Sequence, residues 1–544
     1  MPKVYAIGDL NTDFFTYTGL PARFGEEQNA GFTHSIGGNA ANFAVAAAAL
    51  GVDVSLVSMV GNGLFTKFLK AELSKSKVNK LLVNSDSPNG FSNIFVRKGG
   101  ERGIFSNKGA LMELTSVLVS KKILSKLKKD DVVYFGGFFH LPKLRNGFVN
   151  LLKSIRKKGA KIFFDATFDE YGKWEVKSFL SFIDIFFLNK VELEHISKTK
   201  NKTKGIKKLF SMGAKEVVLK LGSEGAEYYS NTQTLVMPAL NVKPINTTGA
   251  GDFFNAGFIY ALLNGFSAWN SLLISNFVAG KKIEQKQYFK PTESMVKNYL
   301  KNKNLVEVVK VKNYNLLSKL SCQLIVEQLN IKPDSIISIA AGKTPIGLYE
   351  ELVKAYKKKK VSFANAVFVE LDEYIGLTDE KDSFEYVLQT NFLSKVNFKK
   401  ENIFIFDLHA KNISTECKRI DSVVRKKPLD FVLLGIGTNC HIAYNEPNTS
   451  FFSETHVVST HPKILRAREQ RFNGKVPARA FTLGIKTITS AKKIVLIANG
   501  NHKSNAIKKT VSSKPSAKVP ASILQKHPNS TIIVDVAAGH LLKN

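Results

Sequence analysis

The sequence contains little cysteine and lacks any long uninterrupted run of apolar residues. Its three cysteines, Cys322, Cys417 and Cys440, are too few for a disulfide framework and show no metal-ligand spacing. No stretch reaches the roughly 18 consecutive apolar residues that a membrane-spanning helix needs. The N-terminus runs straight into a strand-like segment and lacks the layout of a signal peptide. We therefore expect a cytoplasmic protein in a reducing environment, with no membrane partner.

Acidic residues are also scarce relative to basic ones. The chain has 45 Asp and Glu against 78 Lys and Arg, a formal net charge of +33, which raises the alternative of a nucleic-acid binder. However, the lysines are scattered along the whole chain, and the densest run is only Lys357–Lys360. No helix-turn-helix, zinc-finger or aromatic RNA-binding pattern accompanies them. We expect a solvated, lysine-rich surface that attracts small anions, and no nucleic-acid partner.

Apolar runs of strand length alternate with helical stretches in both halves of the chain, which is typical of mainly parallel sheets covered by helices. These runs are Val4–Ile7, Val54–Val60, Val132–Phe135, Ile162–Phe164, Ile183–Leu188, Val217–Leu221, Ile336–Ala340, Ala366–Leu371, Phe431–Ile436, Ile494–Ile497 and Ile532–Val534. A lysine-rich, glycine-free stretch at Lys301–Lys312 between the halves reads as a linker or a linker strand. Because 544 residues are too many for one core and no internal repeat is visible, we predict two different α/β domains, 1–304 and 305–544.

The segment Asn246–Asp252 of the first half combines glycines with the start of a predicted helix. Its glycines let the backbone approach an anion closely, and a helix N-terminus would stabilise a phosphoryl group in transfer. Asp252 is placed to accept a proton from an attacking hydroxyl group. A plain turn before a helix is the alternative for this segment alone. A second glycine pair, however, opens an alanine-rich helix at Gly37–Asn42.

With both signatures in this order, roughly residues 1–300 resemble the ribokinase-like (PfkB) family of carbohydrate kinases. The resemblance implies a ribokinase-like α/β sandwich that uses ATP and Mg²⁺. Asn189–Glu192 matches the family's N-x-x-E element, and Gly222–Gly225 matches the loop beneath the nucleotide. The implied roles are sugar binding for Asp13, Gly37, Gly38 and Asn42; an anion hole for Gly249, Ala250 and Gly251; the catalytic base for Asp252; nucleotide binding for Asn189, Gly222 and Gly225; and an influence on magnesium, through water, for Glu192.

Three departures from the family pattern stand near this implied site. Asn246 replaces an aspartate of the family's monovalent-cation site, which leaves a K⁺ ion open. Lys220 replaces a threonine beside the nucleotide loop, and the loop Val60–Gly63 lacks the acidic residues often found there. None of these changes removes the base or the anion hole, so we expect an active kinase.

Polar segments follow three predicted strands of the second half, and ligands bind beyond the carboxyl ends of strands in open α/β sheets. Ala341–Pro345, a phosphate-loop candidate, precedes a helical run. Asp372–Tyr374 follows the next run, and Gly437–His441 with Asn445–Pro447 follows the third. Singly, an acid here is usually a solvated turn and a histidine usually structural. Three strand ends that converge on one edge predict a site.

The second half, about residues 310–540, resembles the glucosamine-6-phosphate deaminase family, whose Rossmann-like open α/β fold is shared with 6-phosphogluconolactonases. The resemblance rests on Leu371–Leu377, His441–Pro447 and Leu524–Pro528, and the second of these favours the deaminase branch. The implied roles are proton transfer between C2 and C1 for Asp372; ring opening for His441 with Glu446; and phosphate binding for Gly342, Lys343, Thr344, Arg471 and Lys503.

Asn439 stands where the deaminase family has an aspartate, and Cys440 where it has a glycine. These two departures leave two alternatives open: a working deaminase, or a catalytically altered sugar-phosphate isomerase, lactonase or sensor domain. The whole chain reads as a bifunctional enzyme that phosphorylates a sugar or amino sugar with ATP and converts glucosamine 6-phosphate to fructose 6-phosphate and ammonia. Either reaction could come first. The expected partners are small-molecule sugars, sugar phosphates and ATP, and both families often form homo-oligomers.

Overall fold

The computed structural model describes residues 2–17, 25, 27, 29–96, 102–285, 289–377, 379–459 and 477–542. The chain divides into two compact units, Met1–Lys301 (unit 1) and Asn302–Asn544 (unit 2). Both units are α/β, as the alternation of the sequence predicts. No helix in these described ranges is long and apolar enough to cross a membrane.

The strands and helices of unit 1 alternate along most of its length. Its strands are β1 (Val4–Gly8), β2 (Asn11–Tyr17), β3 (Gly31–Gly37), β4 (Val54–Val57), β5 (Met59–Asn62), β6 (Asn79–Lys80), β7 (Val83–Val96), β8 (Arg102–Gly109), β9 (Val132–Gly136), β10 (Lys161–Asp165), β11 (Ile185–Asn189), β12 (Glu216–Lys220), β13 (Ala226–Tyr229) and β14 (Thr234–Met237). Its helices are α1 (Asn39–Ala49), α2 (Phe65–Ser74), α3 (Ser116–Ile123), α4 (Pro142–Arg145), α5 (Phe148–Lys157), α6 (Lys190–Ser197), α7 (Lys202–Ser211), α8 (Ala250–Leu263), α9 (Ala268–Ile283) and α10 (Glu293–Leu300).

The main sheet of unit 1 has the strand order β14-β13-β12-β11-β10-β9-β1-β4-β6 and is parallel except at β13 and β14. Alternate residues of β1 enter different cores, Val4 with α1, α8 and α9 on one face and Tyr5 with α3, α5, α6 and α7 on the other. Helix α8 is apolar on all sides because it lies inside the first core. The carboxyl end of β1 meets the N-terminus of α1, and the carboxyl end of β12 meets that of α8.

A second sheet of unit 1 has the strand order β3-β2-β7-β5, and β8 pairs with β7. Two of the predicted sugar-binding residues lie in this sheet: Asp13 in β2 and Gly37 at the end of β3. The predicted single strand Val54–Val60 is wrong, because the chain leaves the main sheet after β4 and pairs with β7 through β5. The hydroxyl of Ser58, between the two strands, donates a 2.6 Å hydrogen bond to the carbonyl of Gly8 and fixes this change of sheet.

Unit 2 is built around a parallel sheet with helices between its strands. Its strands are β15 (Glu307–Val311), β16 (Ile336–Ile339), β17 (Val367–Val369), β18 (Asp372–Tyr374), β19 (Ile403–Phe404), β20 (Phe431–Leu434), β21 (His456–Ser459), β22 (Arg479–Thr482), β23 (Ile494–Ala498) and β24 (Ser530–Asp535). Its helices in the described residues are α11 (Tyr314–Ile331), α12 (Ile346–Lys357), α13 (Phe384–Asn391), α14 (Ile413–Lys426), α15 (Ile485–Thr489) and α16 (Ser504–Ser512).

The parallel sheet of unit 2 has the strand order β15-β24-β23-β20-β16-β17-β19, and a small antiparallel sheet, β18-β22-β21, lies beside it. Of the two alternatives for Lys301–Lys312, the structure shows the strand. Part of this stretch forms β15, which pairs with β24 and completes one edge of the sheet. The predicted strand Ala366–Leu371 is also too long. It ends at Val369, and Asp372 opens β18, whose partner is Thr482 in β22.

Candidate active sites

The N-terminus of α8 follows a residue in an unusual backbone conformation. Gly249 has φ +75°, which lies in the left-handed region. This conformation is energetically unfavourable for any residue that carries a side chain. The first amide groups of a helix lack partners within the helix and carry the positive end of its dipole. The Ala250 amide already bonds the Thr247 carbonyl at 3.2 Å. The predicted anion hole thus lies at the N-terminus of α8, where Gly249 allows the required backbone conformation. One of its three amides, that of Ala250, is also hydrogen-bonded within the preceding turn.

The carboxylate of Asp252, in the first turn of α8, is held between two amide side chains. Asn39 Nδ2 donates to its Oδ1 at 3.2 Å, and Asn42 Nδ2 donates to its Oδ2 at 3.1 Å. Burial and then nearby Asp165 raise the pKa of Asp252 well above its ordinary value, while Lys220 opposes that rise. The result is an oriented, buried carboxyl group with increased affinity for a proton.

A buried ion cluster lies beside the same helix start. Lys220 Nζ donates to Asp165 Oδ1 at 2.7 Å, and a Cβ on Gly251 would lie 3.4 Å from that Nζ. Burial acts to lower the pKa of Lys220, but Asp165 and Glu192 outweigh it and the pKa is raised. Burial raises the pKa of Glu192 to about 7, although Lys220 acts against it. An ammonium group with a raised pKa therefore faces the N-terminus of α8.

The predicted nucleotide residues occupy the carboxyl ends of neighbouring strands β11 and β12. Asn189 and Glu192 form a capping box on α6: Glu192 N–H donates to Asn189 Oδ1 at 2.9 Å, and Asn189 N–H donates to Glu192 Oε2 at 2.7 Å. Gly222 has φ +62° and Gly225 has φ +103°. A Cβ on Gly225 would overlap the carbonyl of Met237. The loop thus requires glycine for its own fold.

The predicted sugar residues meet where β2 approaches α1. Asp13 accepts a 2.7 Å hydrogen bond from Asn11 Nδ2, and its burial raises its pKa to about 7. A Cβ on Gly37 would overlap the Asp13 carboxyl group, and Gly38 has φ +98°. Gly37 therefore makes room for the Asp13 carboxyl group, whereas Gly38 lies against the Asp9 carbonyl.

Two adjoining cavities open at these groups. The base cavity, about 150 Å³, is lined by Asp252 and Arg102, and the lysine cavity, about 400 Å³, is lined by Lys282 of α9. Both are lined in common by Asp13, Asn42, Thr248 and Gly249. Asp252, Gly249, Asp13, Gly38 and Asn42 thus line these two adjoining cavities. The other predicted residues of the anion hole and the sugar site, Ala250, Gly251 and Gly37, are not among the lining residues.

Sequence reasoning missed several residues of this site. Arg102 Nη1 lies 3.0 Å from Thr247 Oγ1, next to the anion hole. Asp9 holds the start of α1, where the amide of Ala40 donates to its carboxylate at 3.0 Å. Asn39, which orients Asp252, lies inside the quoted glycine motif and could have been found there. Arg102 and Lys282 lie in segments without a motif.

In unit 2, four adjacent parallel strands end at predicted site residues. Gly342–Thr344 follows β16, Asp372 follows β17, His441 follows β20 and Lys503 follows β23. Two hydrogen bonds tie these ends together. Thr344 Oγ1 donates to Asn499 Oδ1 at 3.0 Å, and Lys503 Nζ donates to the Ile436 carbonyl at 2.6 Å. Arg471, the remaining predicted phosphate ligand, lies outside the described residues.

The loop after β20 assembles a histidine, a carboxylate and an amide. His441 Nδ1 lies 2.9 Å from Glu446 Oε1, although the two are not aligned as a hydrogen bond. Asn439 Nδ2 donates to the other oxygen, Glu446 Oε2, at 2.5 Å, and Asn439 Oδ1 accepts from His441 N–H at 3.3 Å. The fully buried Asn445 donates to the Leu483 carbonyl at 2.8 Å and anchors the loop. Asn439 therefore holds Glu446 in place instead of repelling it.

Asp372 is buried at the start of β18, with only 8% of its surface exposed. Its neighbours are acidic, and burial, then Glu373 and Asp372, raise the pKa of Glu370 well above its ordinary value. Glu373, which the sequence did not single out, accepts hydrogen bonds from the amides of Phe384 at 3.1 Å and Glu385 at 2.8 Å. It fixes β18 to the start of α13. Lys343 is exposed on its loop.

Cys440 adopts a backbone conformation that favours glycine. Its φ is +72°, and its side chain is buried. The replacement of the family's glycine thus keeps the loop in the left-handed conformation despite a cost of about 1–2 kcal/mol.

Comparisons with known proteins match each half of the chain to a different family. The model of the pfkB family carbohydrate kinases matches residues 1–294, and that of the glucosamine-6-phosphate isomerases/6-phosphogluconolactonase matches residues 315–533. The glucosamine-6-phosphate deaminase of Clostridium acetobutylicum is 41% identical over 241 residues, which are 44% of this chain and 100% of that protein. The deaminase of Thermoanaerobacter pseudethanolicus is 38% identical over 44% of this chain and 95% of its own length.

Two solved structures resemble parts of the chain. Ribokinase from Thermotoga maritima covers 56% of this chain and 100% of its own, at 23% identity and a TM-score of 0.49. A monomeric glucosamine-6-phosphate deaminase covers 43% and 100%, at 34% identity and a TM-score of 0.42. On the family matches and the sequence relatives, the chain belongs to the pfkB family of carbohydrate kinases and carries a second, glucosamine-6-phosphate isomerase-type domain related to glucosamine-6-phosphate deaminases.

Proposed function

We propose that the chain is a bifunctional enzyme. Unit 1 phosphorylates a sugar or amino sugar with ATP, and unit 2 converts glucosamine 6-phosphate to fructose 6-phosphate and ammonia. The observation that supports the kinase best is Asp252, oriented by Asn39 and Asn42 at the N-terminus of α8, with Lys220 beside it. The proposal places both reactions in the cytoplasm, on small molecules, without nucleic acid or membrane. We also propose that the chain assembles into a homo-oligomer.

In unit 1, ATP with Mg²⁺ would supply the phosphoryl group. Asp252 takes the proton of the acceptor hydroxyl as its oxygen bonds to the γ-phosphorus, and the bond to the ADP oxygen breaks. The amides of Gly249, Ala250 and Gly251 stabilise the charge on the phosphoryl oxygens, and Lys220 adds a positive charge nearby. Asp13 and Asn42, on the wall of the same cavity, hold the sugar hydroxyls.

The groups around α8 fit a nucleotide and a hydrated magnesium ion. The described residues contain no group of three or more acidic, His or Cys side chains that could hold a metal ion. Mg²⁺ at phosphates, however, usually keeps several waters and needs one or two carboxylates. Glu192, whose carboxylate is already bonded to Asn189, would act on such a site through water. Gly222 and Gly225 would lie beneath the nucleotide. Asn246 supplies no carboxylate for a K⁺ ion.

In unit 2, Asp372 would carry a proton from C2 to C1 of the open aminoaldose, and water would replace the nitrogen as ammonia leaves. His441, paired with Glu446, would open the sugar ring by moving a proton at the ring oxygen. Lys503, Arg471 and the loop of Gly342, Lys343 and Thr344 would hold the phosphate. For Asp372, His441, Lys503 and the Gly342–Thr344 loop, this assignment is supported by the four adjacent strand ends that they follow. The deaminase relatives support it as a whole.

Asn439 favours an active deaminase over a sensor domain. Its amide donates to Glu446 Oε2 and so holds that carboxylate beside His441, where an aspartate would place a second acidic group. The sensor alternative predicts tight binding of glucosamine 6-phosphate without turnover.

A screen of ATP consumption across hexoses, amino sugars and their phosphates, with ammonia detected in parallel, tests the proposed function. We expect ATP consumption with at least one sugar, and both ammonia and fructose 6-phosphate from glucosamine 6-phosphate. Binding of glucosamine 6-phosphate without ammonia would establish the sensor instead. ATP consumption that depends on no sugar would contradict the kinase.

A further inference from the structure

Lys282, near the end of α9, is a lysine that the proposed mechanism does not use. Only 8% of its surface is exposed, and its side chain lines the lysine cavity. A buried ammonium group is costly unless an opposite charge or hydrogen bonds compensate it. The ammonium group of Lys282 therefore needs an anion or hydrogen-bond acceptors nearby.

The described residues supply Lys282 with little compensation. Within them, no carboxylate lies within 4 Å of its Nζ and no acceptor bonds to it, whereas the neighbouring Lys281 pairs with Glu284 at 2.8 Å. The Phe253 ring, 5.9 Å away, is at the limit of a cation–π contact. Asp252 attracts the charge from further away, but Arg102 repels it, and burial and Arg102 lower the pKa of Lys282 to about 8. The ammonium group therefore still carries its charge at neutral pH.

The lysine cavity extends from the reaction centre. It shares Asp13, Asn42, Thr248 and Gly249 with the base cavity, where Asp252 meets the acceptor hydroxyl. Its volume of about 400 Å³ falls within the range of about 300–1,000 Å³ for small-molecule sites. A sugar whose hydroxyl lies at Asp252 can therefore extend another group towards Lys282.

We propose that the acceptor of unit 1 is an anionic sugar whose phosphate or carboxylate binds Lys282 in the lysine cavity. This inference rests on the proposed kinase function and specifies its substrate class. An ammonium group binds either anion as a point charge. The deaminase-type second domain favours the phosphate, because its proposed product is a ketose phosphate that would be an acceptor of this class. Unit 1 would then follow unit 2 in the reaction sequence.

The test compares acceptors with the full chain, using ATP-consumption rates and mass spectrometry of the product. The acceptors are fructose 6-phosphate, gluconate, fructose and glucosamine. The variants are Lys282→Met, Lys282→Arg and, as the matched control on the same helix, Lys281→Met. We expect wild-type kcat/KM to be at least about tenfold higher for an anionic acceptor than for fructose. Lys282→Met should abolish this preference through KM and leave fructose unchanged, whereas Lys282→Arg and Lys281→Met should retain it.

A preference for fructose 6-phosphate over gluconate would assign the phosphate, and the reverse would assign the carboxylate. Equal or faster use of fructose by the wild type, or equal losses for fructose and the anionic acceptors in Lys282→Met, would overturn the inference and leave the kinase standing. If no acceptor raised ATP consumption above the Asp252→Asn background, the inference and the proposed kinase would both fail. Should Lys282→Met not fold, loss of the preference in a folded Lys282→Arg variant would overturn the inference, and its retention would support it.

Discussion

Single residues set the proton affinity of the proposed kinase base. Asp252 is buried next to Asp165, which raises its pKa, and Lys220 is the main group that lowers it again. The Asn42 and Asn39 amides orient the carboxylate but carry no net charge. The charge of Lys220 should therefore control the pH at which Asp252 becomes an active base.

The first prediction concerns the pH dependence of the kinase. Lys220→Met removes a positive charge, so the pKa of Asp252 should rise further and the carboxylate should ionise only at higher pH. The acid limb of kcat/KM against pH should move to higher pH, with activity lost at neutral pH and partly regained in alkaline buffer. Lys215→Met is the control, because Lys215 pairs with Asp184 at 3.2 Å and precedes the start of β12, at the other end of the strand from Lys220. An acid limb that stays in place would disprove the coupling.

The second prediction concerns Asn439 in the deaminase-type domain. Asn439→Ala removes the donor to Glu446 Oε2, so Glu446 should hold His441 less firmly. A hydrogen bond to a charged group contributes about 1.5–3 kcal/mol, which corresponds to a fall in kcat of about 10- to 160-fold. Because Asn439 contacts Glu446 and not the phosphate loop, KM for glucosamine 6-phosphate should change little. Steady-state ammonia release measures both constants, and an unchanged kcat would refute the positioning role.

At the scale of elements, helix α8 connects the fold with the chemistry. Its apolar surface secures it within the core, and glycines in the left-handed conformation flank it at both ends. Gly249 precedes its first turn with φ +75°, and Gly265 follows its last turn with φ +77°. The two positions make the same backbone demand, but only Gly249 lies at the proposed anion hole.

The third prediction uses this pair. Gly249→Ala and Gly265→Ala should each lower the free energy of unfolding by about 1–2 kcal/mol, the cost of a side chain in this conformation. A Cβ at Gly249 would lie 3.4 Å from Asn42 Nδ2, beside Asp252, whereas a Cβ at Gly265 would meet open space. Only Gly249→Ala should therefore lose phosphoryl transfer. Denaturant unfolding and ATP consumption give the two values, and equal activity in both variants would count against the anion hole.

Elements also show how far sequence reasoning reaches. The strand and helix alternation and the segments around Gly249 and His441 could be predicted because local motifs carry them. The start of β18 at Asp372 could not, because its pairing with Thr482 depends on a strand more than a hundred residues later. Arg102 and Lys282 were missed for the same reason, since only long-range packing brings them to Thr247 and to the cavity beside Asp13.

For the whole molecule, the two proposed sites lie in separate compact units, each with its own cores and its own sheet edge. Each proposed active site is therefore built from residues of one unit. A substitution of the proposed base in one unit should leave the reaction of the other unit intact.

The most direct test measures ATP consumption and ammonia release on the same preparations of wild type, Asp252→Asn and Asp372→Asn. General-base catalysis contributes about 10²–10⁴-fold, so Asp252→Asn should lose that factor in sugar-dependent ATP consumption and keep full ammonia release from glucosamine 6-phosphate. Asp372→Asn should show the opposite pattern. A wild type that shows only one activity, or variants that lose both activities together or neither, would contradict a chain with two independent active sites.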